Sequence, residues 1–299
     1  MTVVIPTRER PELLVRAVRS VLEQDHVGSI ECLVVFDGVP VVPPDVPTRE
    51  GRVLRCTTNA RTPGLAGARN TGYLEATGDL VALCDDDDEW LPGKLAAQVD
   101  AMARHPEAVL AACAMVVRYQ DREVVRSSPS ELLTRRDFLY DRQAAVHPSS
   151  YVVRRSDLLG RVGLVDEDLP GSYAEDYEWI LRATEHGPVV VHPEPLLRVH
   201  WHQTSFFTGR WQTIHDALSH LLAHVPDFAT VPRGLGRIEG QLALADAAVG
   251  RRREALGHAA RALRLHPSSR QGWASLLVVA GVLSADQVLE LGRRRGRGV

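Results

Sequence analysis

The chain has 299 residues and a formal net charge of −3. This length suits one large domain or a domain with an appendage, and the lack of a basic excess argues against nucleic acid or an anionic membrane as a partner. No apolar run approaches the roughly 20 residues that cross a bilayer, so we expect no integral membrane segment.

The cysteine pattern indicates a reducing compartment. Cys32, Cys56, Cys84 and Cys113 are widely separated, and no pair has the spacing of a zinc or redox motif. We interpret them as small hydrophobic thiols. The strand-like opening MTVVIPT differs from a secretory signal. We therefore expect a cytoplasmic protein.

Short apolar runs alternate with helical patterns through the first part of the chain. Strands are predicted at residues 3–5, 30–36, 52–56, 80–84 and 109–113. Helices are predicted from Pro11, from the segment 64–70 to Ala76, and from 92 to about 105. This alternation predicts an α/β fold with a mostly parallel sheet that carries helices on both faces.

After Val116 the pattern changes to shorter strands and turns. Further strands are predicted at 116–120, 124–126, 151–153, 189–191 and 196–200, with a helix at about 175–186. Beyond Ser205 the pattern is helical. We therefore predict a catalytic domain at 1–205, made of halves 1–115 and 116–205, and an α-helical C-terminal region at 206–299.

The helical region contains one periodic cue. Small residues and a proline at Gly250, Ala255, Ala262 and Pro267 have the spacing of a tetratricopeptide repeat, and Trp273 with Leu276 matches the start of another. A generic amphipathic hairpin explains the same pattern. So short a fragment cannot bury its apolar face alone, and it is a candidate for contact with a second subunit in a homo-oligomer.

Four consecutive aspartates, Asp85 to Asp88, follow the apolar run 80–84. A row of carboxylates at the mouth of a buried strand is costly unless positive charge lies beside it. A divalent cation bound to a phosphate-bearing ligand would supply that charge. Thr7 and Asp37 also follow strands, and ligands of parallel sheets bind at the carboxyl ends of the strands. The sequence thus predicts one site at this edge.

Five segments in this order resemble a family 2 glycosyltransferase with the GT-A fold, over roughly residues 1–205. They are VVIPTRERPELL, the Asp37-Gly38 pair, GLAGARNTG, ALCDDDDEWLPGKLAAQ and AEDYEWILRA. The resemblance implies that Pro6, Thr7, Glu9 and Arg10 lie against the nucleotide of a nucleotide-sugar donor. Asp37 then receives the base, although Phe36 stands where such proteins usually have another acid, which leaves the identity of the base open.

The same resemblance assigns roles to the central acids. Arg69 matches an arginine placed at the opening of a helix to meet the diphosphate or the ribose. Asp85 and Asp87 match the DXD pattern, with Asp85 and Asp86 near the donor and Asp87 on the metal. Because four adjacent acids leave the register ambiguous, Asp88 is an alternate ligand. The implied cofactor is a divalent cation, Mn²⁺ or Mg²⁺.

Two later segments complete the implied site. Asp176, at the start of a helix, matches the catalytic base, which takes a proton from an acceptor hydroxyl. His200 matches a metal-binding histidine through its spacing to Thr204 and Ser205, and His202 is the alternate. His147 and the pair Ser149-Ser150 are predicted to line the acceptor region.

The sequence therefore predicts an inverting, metal-dependent transferase that moves one sugar from a UDP- or dTDP-linked donor to a hydroxyl acceptor in glycan or natural-product biosynthesis. The QxxRW motif of processive synthases is absent because Phe207 precedes Arg210-Trp211 where glutamine is required. No GxGxxG follows Ile5, which argues against a dinucleotide-dependent oxidoreductase. The alternative is a non-catalytic nucleotide-sugar-binding or scaffold protein with a helical partner-binding tail.

Overall fold

The computed structural model describes residues 1–120, 122–201, 207 and 209–294. Residues 1–135, 143–167 and 175–201 form one compact unit, here called the sheet unit. Residues 136–142, 168–174 and the described residues beyond 201 form a second, the helical unit. The predicted boundary at Ser205 lies outside the described residues and stays a prediction.

Ten strands occur in the described part of the chain. They are β1 (Thr2–Thr7), β2 (Ile30–Phe36), β3 (Arg52–Thr58), β4 (Leu80–Leu83), β5 (Glu89–Trp90), β6 (Leu110–Tyr119), β7 (Arg122–Arg126), β8 (Leu132–Leu133), β9 (Val152–Arg154) and β10 (Val189–Trp201). All belong to one sheet with the order β3-β2-β1-β4-β9-β6-β10-β5, while β7 pairs with β6 and β8 with β10.

Eleven helices are described. They are α1 (Pro11–Leu22), α2 (Leu65–Glu75), α3 (Lys94–Arg104), α4 (Arg135–Tyr140), α5 (Arg155–Asp157), α6 (Glu175–Ala183), α7 (Trp211–His224), α8 (Pro232–Ala248), α9 (Arg252–Leu265), α10 (Arg270–Val279) and α11 (Ala285–Arg294). Within the described residues, none combines the length and the apolar character that a bilayer-crossing helix needs.

The parallel half of the sheet confirms the sequence prediction. Strands β3, β2, β1 and β4 run parallel, and every residue of β1 is buried, as its apolar run predicts. Beyond β4, the strand β9 pairs antiparallel on both sides, and β6 and β10 return to a parallel pairing. The carboxyl ends of β1, β2 and β4 therefore meet at one edge of the sheet.

In two places, two consecutive predicted strands form one continuous strand. Residues 110–119 form the continuous β6, where the sequence predicted one strand at 109–113 and another at 116–120. Strand β10 continues through the prolines at 193 and 195, with register shifts beside Pro195. An irregularity in a strand accommodates proline without ending the strand, so residues 189–191 and 196–200, predicted as two strands, belong to one.

Helix α2 packs closely on the parallel strands because its sequence is rich in small residues. A Cβ atom at Gly72 would lie 2.2 Å from Val4 Cγ1, and one at Gly67 would lie 1.9 Å from the Thr62 carbonyl oxygen. Neither position tolerates a side chain in this arrangement. The glycines of GLAGARNTG thus have a packing role, which brings Arg69 deep into the sheet unit.

The helical unit has its own core. Ile238 and Leu242 of α8 are buried, as are Ala255, Ala259 and Ala262 of α9, where small side chains let the two helices approach. The predicted helical C-terminal region is thus confirmed for the residues described. The assignment to a tetratricopeptide repeat stays a prediction.

Candidate active site

Thr7, at the end of β1, forms hydrogen bonds to Asp37 and to the row of four aspartates. Its carbonyl oxygen accepts the Asp37 backbone N–H at 3.0 Å, and its Oγ1 donates to Asp86 Oδ2 at 2.7 Å. These bonds follow from the parallel pairing of β1 with both β2 and β4. The residues predicted at the strand ends therefore lie together at one edge of the sheet.

The four aspartates face different neighbours, and protein cations compensate three of them. Asp85 accepts from Arg69 Nη2 at 2.8 Å, and Arg10 Nη1 lies 3.2 Å from Asp86 Oδ1 and 2.8 Å from Asp87 Oδ2. Two arginines therefore serve three of the four aspartates, and Arg69 is shared with Glu175, so Asp88 is the aspartate without a protein cation among these contacts.

Burial raises the pKa values of two of these aspartates. Burial raises the pKa of Asp86 to about 6, with the Asp87 charge adding to the effect and the Thr7 and Arg10 contacts opposing it. Burial raises the pKa of Asp88 even further above its usual range, and Asp87 and Asp85 add to that rise. A cation near Asp88 would favour its ionised form.

Asp85, Asp88 and His147 form a group suited to a cation, because one ligand atom from each lies within 4.8 Å of the others. Ser149 Oγ donates to Asp88 Oδ2 at 2.5 Å, and His147 Nδ1 lies 3.4 Å from the same oxygen. Ser149 Oγ also accepts the Asp85 backbone N–H at 3.0 Å. These contacts fix the orientation of the Asp88 side chain.

His147 suits a role as a neutral ligand. Its side chain keeps 27% of its surface exposed, yet enough protein surrounds the imidazole that burial lowers its pKa. The charges of Asp85, Asp176 and Asp87 act in the opposite direction. A lower pKa keeps the ring neutral near pH 7, which is the form that binds metals.

The His200 ring lies beside Glu89. Its Nε2 atom is 3.8 Å from Glu89 Oε2 and has no hydrogen-bond partner, while its backbone N–H donates to Asp88. The structure groups the His147 ring with Asp85 and Asp88, and the metal-binding role of His200 stays a prediction. Sequence analysis predicted only an acceptor-lining role for His147, because 59 residues separate it from Asp88 and no local motif joins them. His202 lies outside the described residues.

Arg69 connects the aspartates to the start of α6. It lies in the second turn of α2 and not at the helix opening, which corrects the predicted placement. Its side chain is 3% exposed; Nη2 binds Asp85, and Nη1 forms a short ion pair with Glu175 Oε1. Burial nevertheless raises the pKa of Glu175 to about 7, outweighing the attraction of Arg69.

Asp176 follows Glu175 at the second position of α6, as predicted, and it is half-buried where Glu175 is fully buried. Its charge acts on both His147 and Glu175. Asp176 thus lies close enough to His147 and Glu175 for its charge to raise the pKa of both. Its role as the catalytic base stays a prediction.

The predicted nucleotide side of the site surrounds Asp37. Its carboxylate accepts from Asn59 Nδ2 at 2.8 Å and from the Gly64 backbone N–H at 3.0 Å, and Arg8 lies 4.0 Å away. Asp37 thus holds the loop that precedes α2. Pro6 is buried within β1, and Glu9 has a positive φ of 56° in the turn to α1.

A sequence profile described as "Glycosyl transferase family 2" matches residues 2–163 of the chain. The chain belongs to this family. Its members are glycosyltransferases, and this chain is therefore a transferase enzyme. The match covers β1 to β9 and includes the aspartates and His147. Asp176 lies beyond its end, so the role of that residue stays a prediction from the segment AEDYEWILRA.

Named relatives agree with the family. The chain is 30% identical over 196 residues to "Amylovoran biosynthesis glycosyltransferase AmsE" of Erwinia amylovora, which covers 64% of this chain and 72% of the relative. It is 28% identical over 195 residues to "Uncharacterized glycosyltransferase YwdF" of Bacillus subtilis, covering 62% and 68%.

Solved structures show the GT-A fold. TarS 1–349 of S. aureus in complex with UDP-GlcNAc matches with a TM-score of 0.63 and 15% identity, covering 99% of this chain and 92% of TarS 1–349. The mannosyltransferase PcManGT of Pyrobaculum calidifontis, in complex with GDP-Man and Mn²⁺, matches with a TM-score of 0.55 and 18% identity, covering 98% and 79%. The predicted α/β architecture is thus confirmed.

Proposed function

We propose that this glycosyltransferase moves a single sugar from a UDP- or dTDP-linked donor to an acceptor hydroxyl with inversion at the anomeric carbon. The observation that carries the proposal is the Arg69 bridge, which holds Asp85 and Glu175, and hence Asp176 beside it, around one edge of the sheet. Arg69 contacts one acid proposed to bind the donor and the residue next to the proposed base, which supports a common site for both.

The nucleotide side of the proposed site is the loop after β1 together with Asp37. Pro6, Thr7, Glu9 and Arg10 would lie against the nucleotide, and the Asp37 carboxylate would accept the imide hydrogen of uracil or thymine. The UDP-GlcNAc and UDP complexes of the TarS neighbour support a nucleotide-sugar donor. Asp85 and Asp86 would face the ribose and the sugar.

The acidic group fits a divalent cation. Asp85, Asp88 and His147 offer two carboxylates and a neutral imidazole within 4.8 Å, a donor set suited to Mn²⁺ or Mg²⁺. The Mn²⁺ bound in PcManGT supports this assignment. Asp87, held by Arg10 in this structure, and His200 stay the predicted direct ligands, with Asp88 and His202 as alternates. When bound, the cation neutralises the departing diphosphate.

Asp176 would act as the general base. Its carboxylate takes the proton of the acceptor hydroxyl while that oxygen forms a bond to the anomeric carbon. The bond from the anomeric carbon to the diphosphate oxygen breaks at the same time, and the nucleoside diphosphate leaves from the opposite face. Direct displacement inverts the anomeric centre. Such proton transfer contributes about 10² to 10⁴ in rate.

We infer single additions to a glycan or a natural product in a reducing compartment such as the cytoplasm. The four cysteines are unpaired thiols, which supports that compartment. The helical unit would serve a second subunit in a homo-oligomer. Large apolar side chains of α10 support that role, because Trp273 is 56% exposed and Leu277 is 44% exposed.

The test begins with thermal unfolding in UDP, dTDP, GDP, UDP-GlcNAc and UDP-glucose, each with and without Mn²⁺. A ligand at 100 times its Kd stabilises the folded chain by about 2.7 kcal/mol. We expect a uridine or thymidine diphosphate with Mn²⁺ to give the largest rise in midpoint. If no nucleoside diphosphate raises the midpoint, the proposal is wrong.

The second step tests the base. Asp176→Asn should keep the UDP affinity of the wild type. The rate of UDP release from the preferred donor should fall by a factor of about 10² to 10⁴. Asp100→Asn is the matched control, since Asp100 is 70% exposed on α3 and pairs with Arg104. The scaffold alternative predicts nucleotide binding without turnover in either variant. Full turnover in Asp176→Asn would show that another group takes the proton.

A further inference from the structure

Three side chains from successive helices meet inside the helical unit. They are His215 of α7, Asp246 of α8 and His258 of α9, and one ligand atom from each lies within 4.8 Å of the others. The Asp246 side chain is fully buried, and the imidazoles are only 22% and 18% exposed. A buried carboxylate between two histidines requires an explanation, because burying charge is costly.

The two oxygens of Asp246 have different surroundings. Oδ1 accepts from Arg251 Nε at 2.7 Å, whereas Oδ2 is buried and has no hydrogen-bond partner. The Nε2 atom of His258 lies 3.6 Å from Oδ2, and that of His215 lies 3.4 Å from Oδ1. An unsatisfied buried acceptor costs about 1 to 3 kcal/mol, and more when charged.

Both imidazoles have a carboxylate oxygen beside Nδ1. The Nδ1 atom of His258 lies 2.5 Å from Glu239 Oε2, and that of His215 lies 3.1 Å from Asp216 Oδ1. A carboxylate at Nδ1 holds the ring hydrogen there and leaves the Nε2 lone pair free, as in carboxylate-histidine-metal arrangements. Both free nitrogens therefore face Asp246 and each other.

The spacing leaves room for one ion among the three side chains. Ligands about 2.0 to 2.1 Å from a tetrahedral Zn²⁺ lie about 3.3 Å from one another. The Nε2 atom of His215 is 3.4 Å from Oδ1 and that of His258 is 3.6 Å from Oδ2, so each imidazole has its own carboxylate oxygen close to that separation. We propose that His215, Asp246 and His258 bind one transition-metal ion of the Zn²⁺ class, joining α7, α8 and α9.

The surrounding charge permits a dication. Asp246, Glu239 and Asp216 bring three carboxylates, against the guanidinium groups of Arg251 and Arg261. Arg261 Nε donates to Glu239 Oε2 at 3.2 Å, and its Nη2 lies 2.8 Å from His258 Nδ1. Because a guanidinium only donates, a metal at Nε2 requires Nδ1 to give its hydrogen to Glu239 Oε2 and not to accept one from Arg261. One negative charge remains in excess before an ion binds.

The test measures Zn²⁺ retained by the full chain after desalting, together with the thermal midpoint. The background is His147→Gln, which removes the imidazole of the other cation group. We expect one Zn²⁺ per chain, with Zn–N and Zn–O distances of about 2.0 to 2.2 Å by X-ray absorption. Added His215→Gln or His258→Gln should abolish retention, and Glu239→Gln should weaken affinity about 10- to 100-fold.

The matched control is His224→Gln. His224 is exposed on α7 and its ring stacks on that of His220 at a centroid distance of 3.9 Å, which makes this pair a competing surface site. The control should retain the ion. Loss of Zn²⁺ in His224→Gln, or retention in His258→Gln, overturns the proposal, as does a background protein that binds no Zn²⁺.

Folding is checked separately. Far-UV circular dichroism of His215→Gln and His258→Gln reports on the helices. In the His147→Gln background, a Zn²⁺-dependent rise in the midpoint that is lost when His258→Gln is added to a well-folded protein supports the site. An equal rise with and without His258→Gln refutes it. Neither outcome depends on the proposed transferase reaction.

Discussion

Arg69→Met tests whether the buried bridge organises the site. The substitution removes the partner of Glu175, whose side chain is 6% exposed, and one partner of Asp85, which is 22% exposed. Removing one member of a buried ion pair costs about 3 to 5 kcal/mol because a charge stays buried and unpaired. At about 2 to 4 °C per kcal/mol, the thermal midpoint should fall by about 6 to 20 °C.

The assay is a double-mutant cycle with Glu175→Gln, read by thermal and urea unfolding. In the Glu175→Gln background no buried carboxylate is left at position 175, so Arg69→Met should destabilise less. We expect a coupling energy of about 1 to 3 kcal/mol. Additive effects, or a loss below about 1 kcal/mol in the single Arg69→Met variant, would refute the bridge.

The same samples test the hypothesis that Arg69 meets the diphosphate. Loss of a charge-assisted contact costs about 1.5 to 3 kcal/mol, or about 10- to 100-fold in UDP affinity. A positioning role predicts that folded Arg69→Met binds UDP within a few-fold of the wild type while donor turnover falls. Titration calorimetry below the midpoint separates the two roles.

Two further predictions concern Lys94 and Asp37. Burial lowers the pKa of Lys94 from 10.5 to about 8, so the unfolded chain binds more protons than the folded chain between these two pH values. The free energy of unfolding of the wild type, relative to that of Lys94→Met, should therefore rise from pH 8 to 10.5. The rise should be at most about 3 kcal/mol. Chemical unfolding across this range measures the difference, and a flat difference contradicts the assignment. Asp37→Asn should weaken UDP binding about 10- to 100-fold, because a carboxylate acceptor of the base is lost. Unchanged calorimetric affinity would place the base elsewhere.

The sequence alone determined the order of strands and helices and the edge at which the acids collect. Apolar runs such as Val3 to Ile5 become fully buried strands, and a polar residue directly after each run must emerge at the carboxyl end of a parallel sheet. The row from Asp85 to Asp88 marks the end of β4 for the same reason. Such local patterns depend on neighbours in the chain, so they are readable without a structure.

Only the tertiary structure decided which partners those acids have. Ser149 and Asp88 are 61 residues apart in sequence, and Glu175 is 106 residues from Arg69, yet each pair is in contact. The packing of α2 on β1 buries Arg69, and the β4–β9 pairing brings His147 to Asp88, a contact that the sequence did not predict. Long-range contacts of this kind leave no periodic trace in the chain.

The same distinction between local sequence pattern and tertiary packing holds for the helical unit. Its helices follow from the amphipathic pattern, whereas the meeting of His215, Asp246 and His258 depends on how three helices pack. Each of these residues is unremarkable among its sequence neighbours, because a ligand set is defined by distances between helices and not by spacing along one. The local sequence pattern therefore determined the strands, the helices and the acidic edge of the sheet. The packing of distant segments decided which charged side chains contact one another.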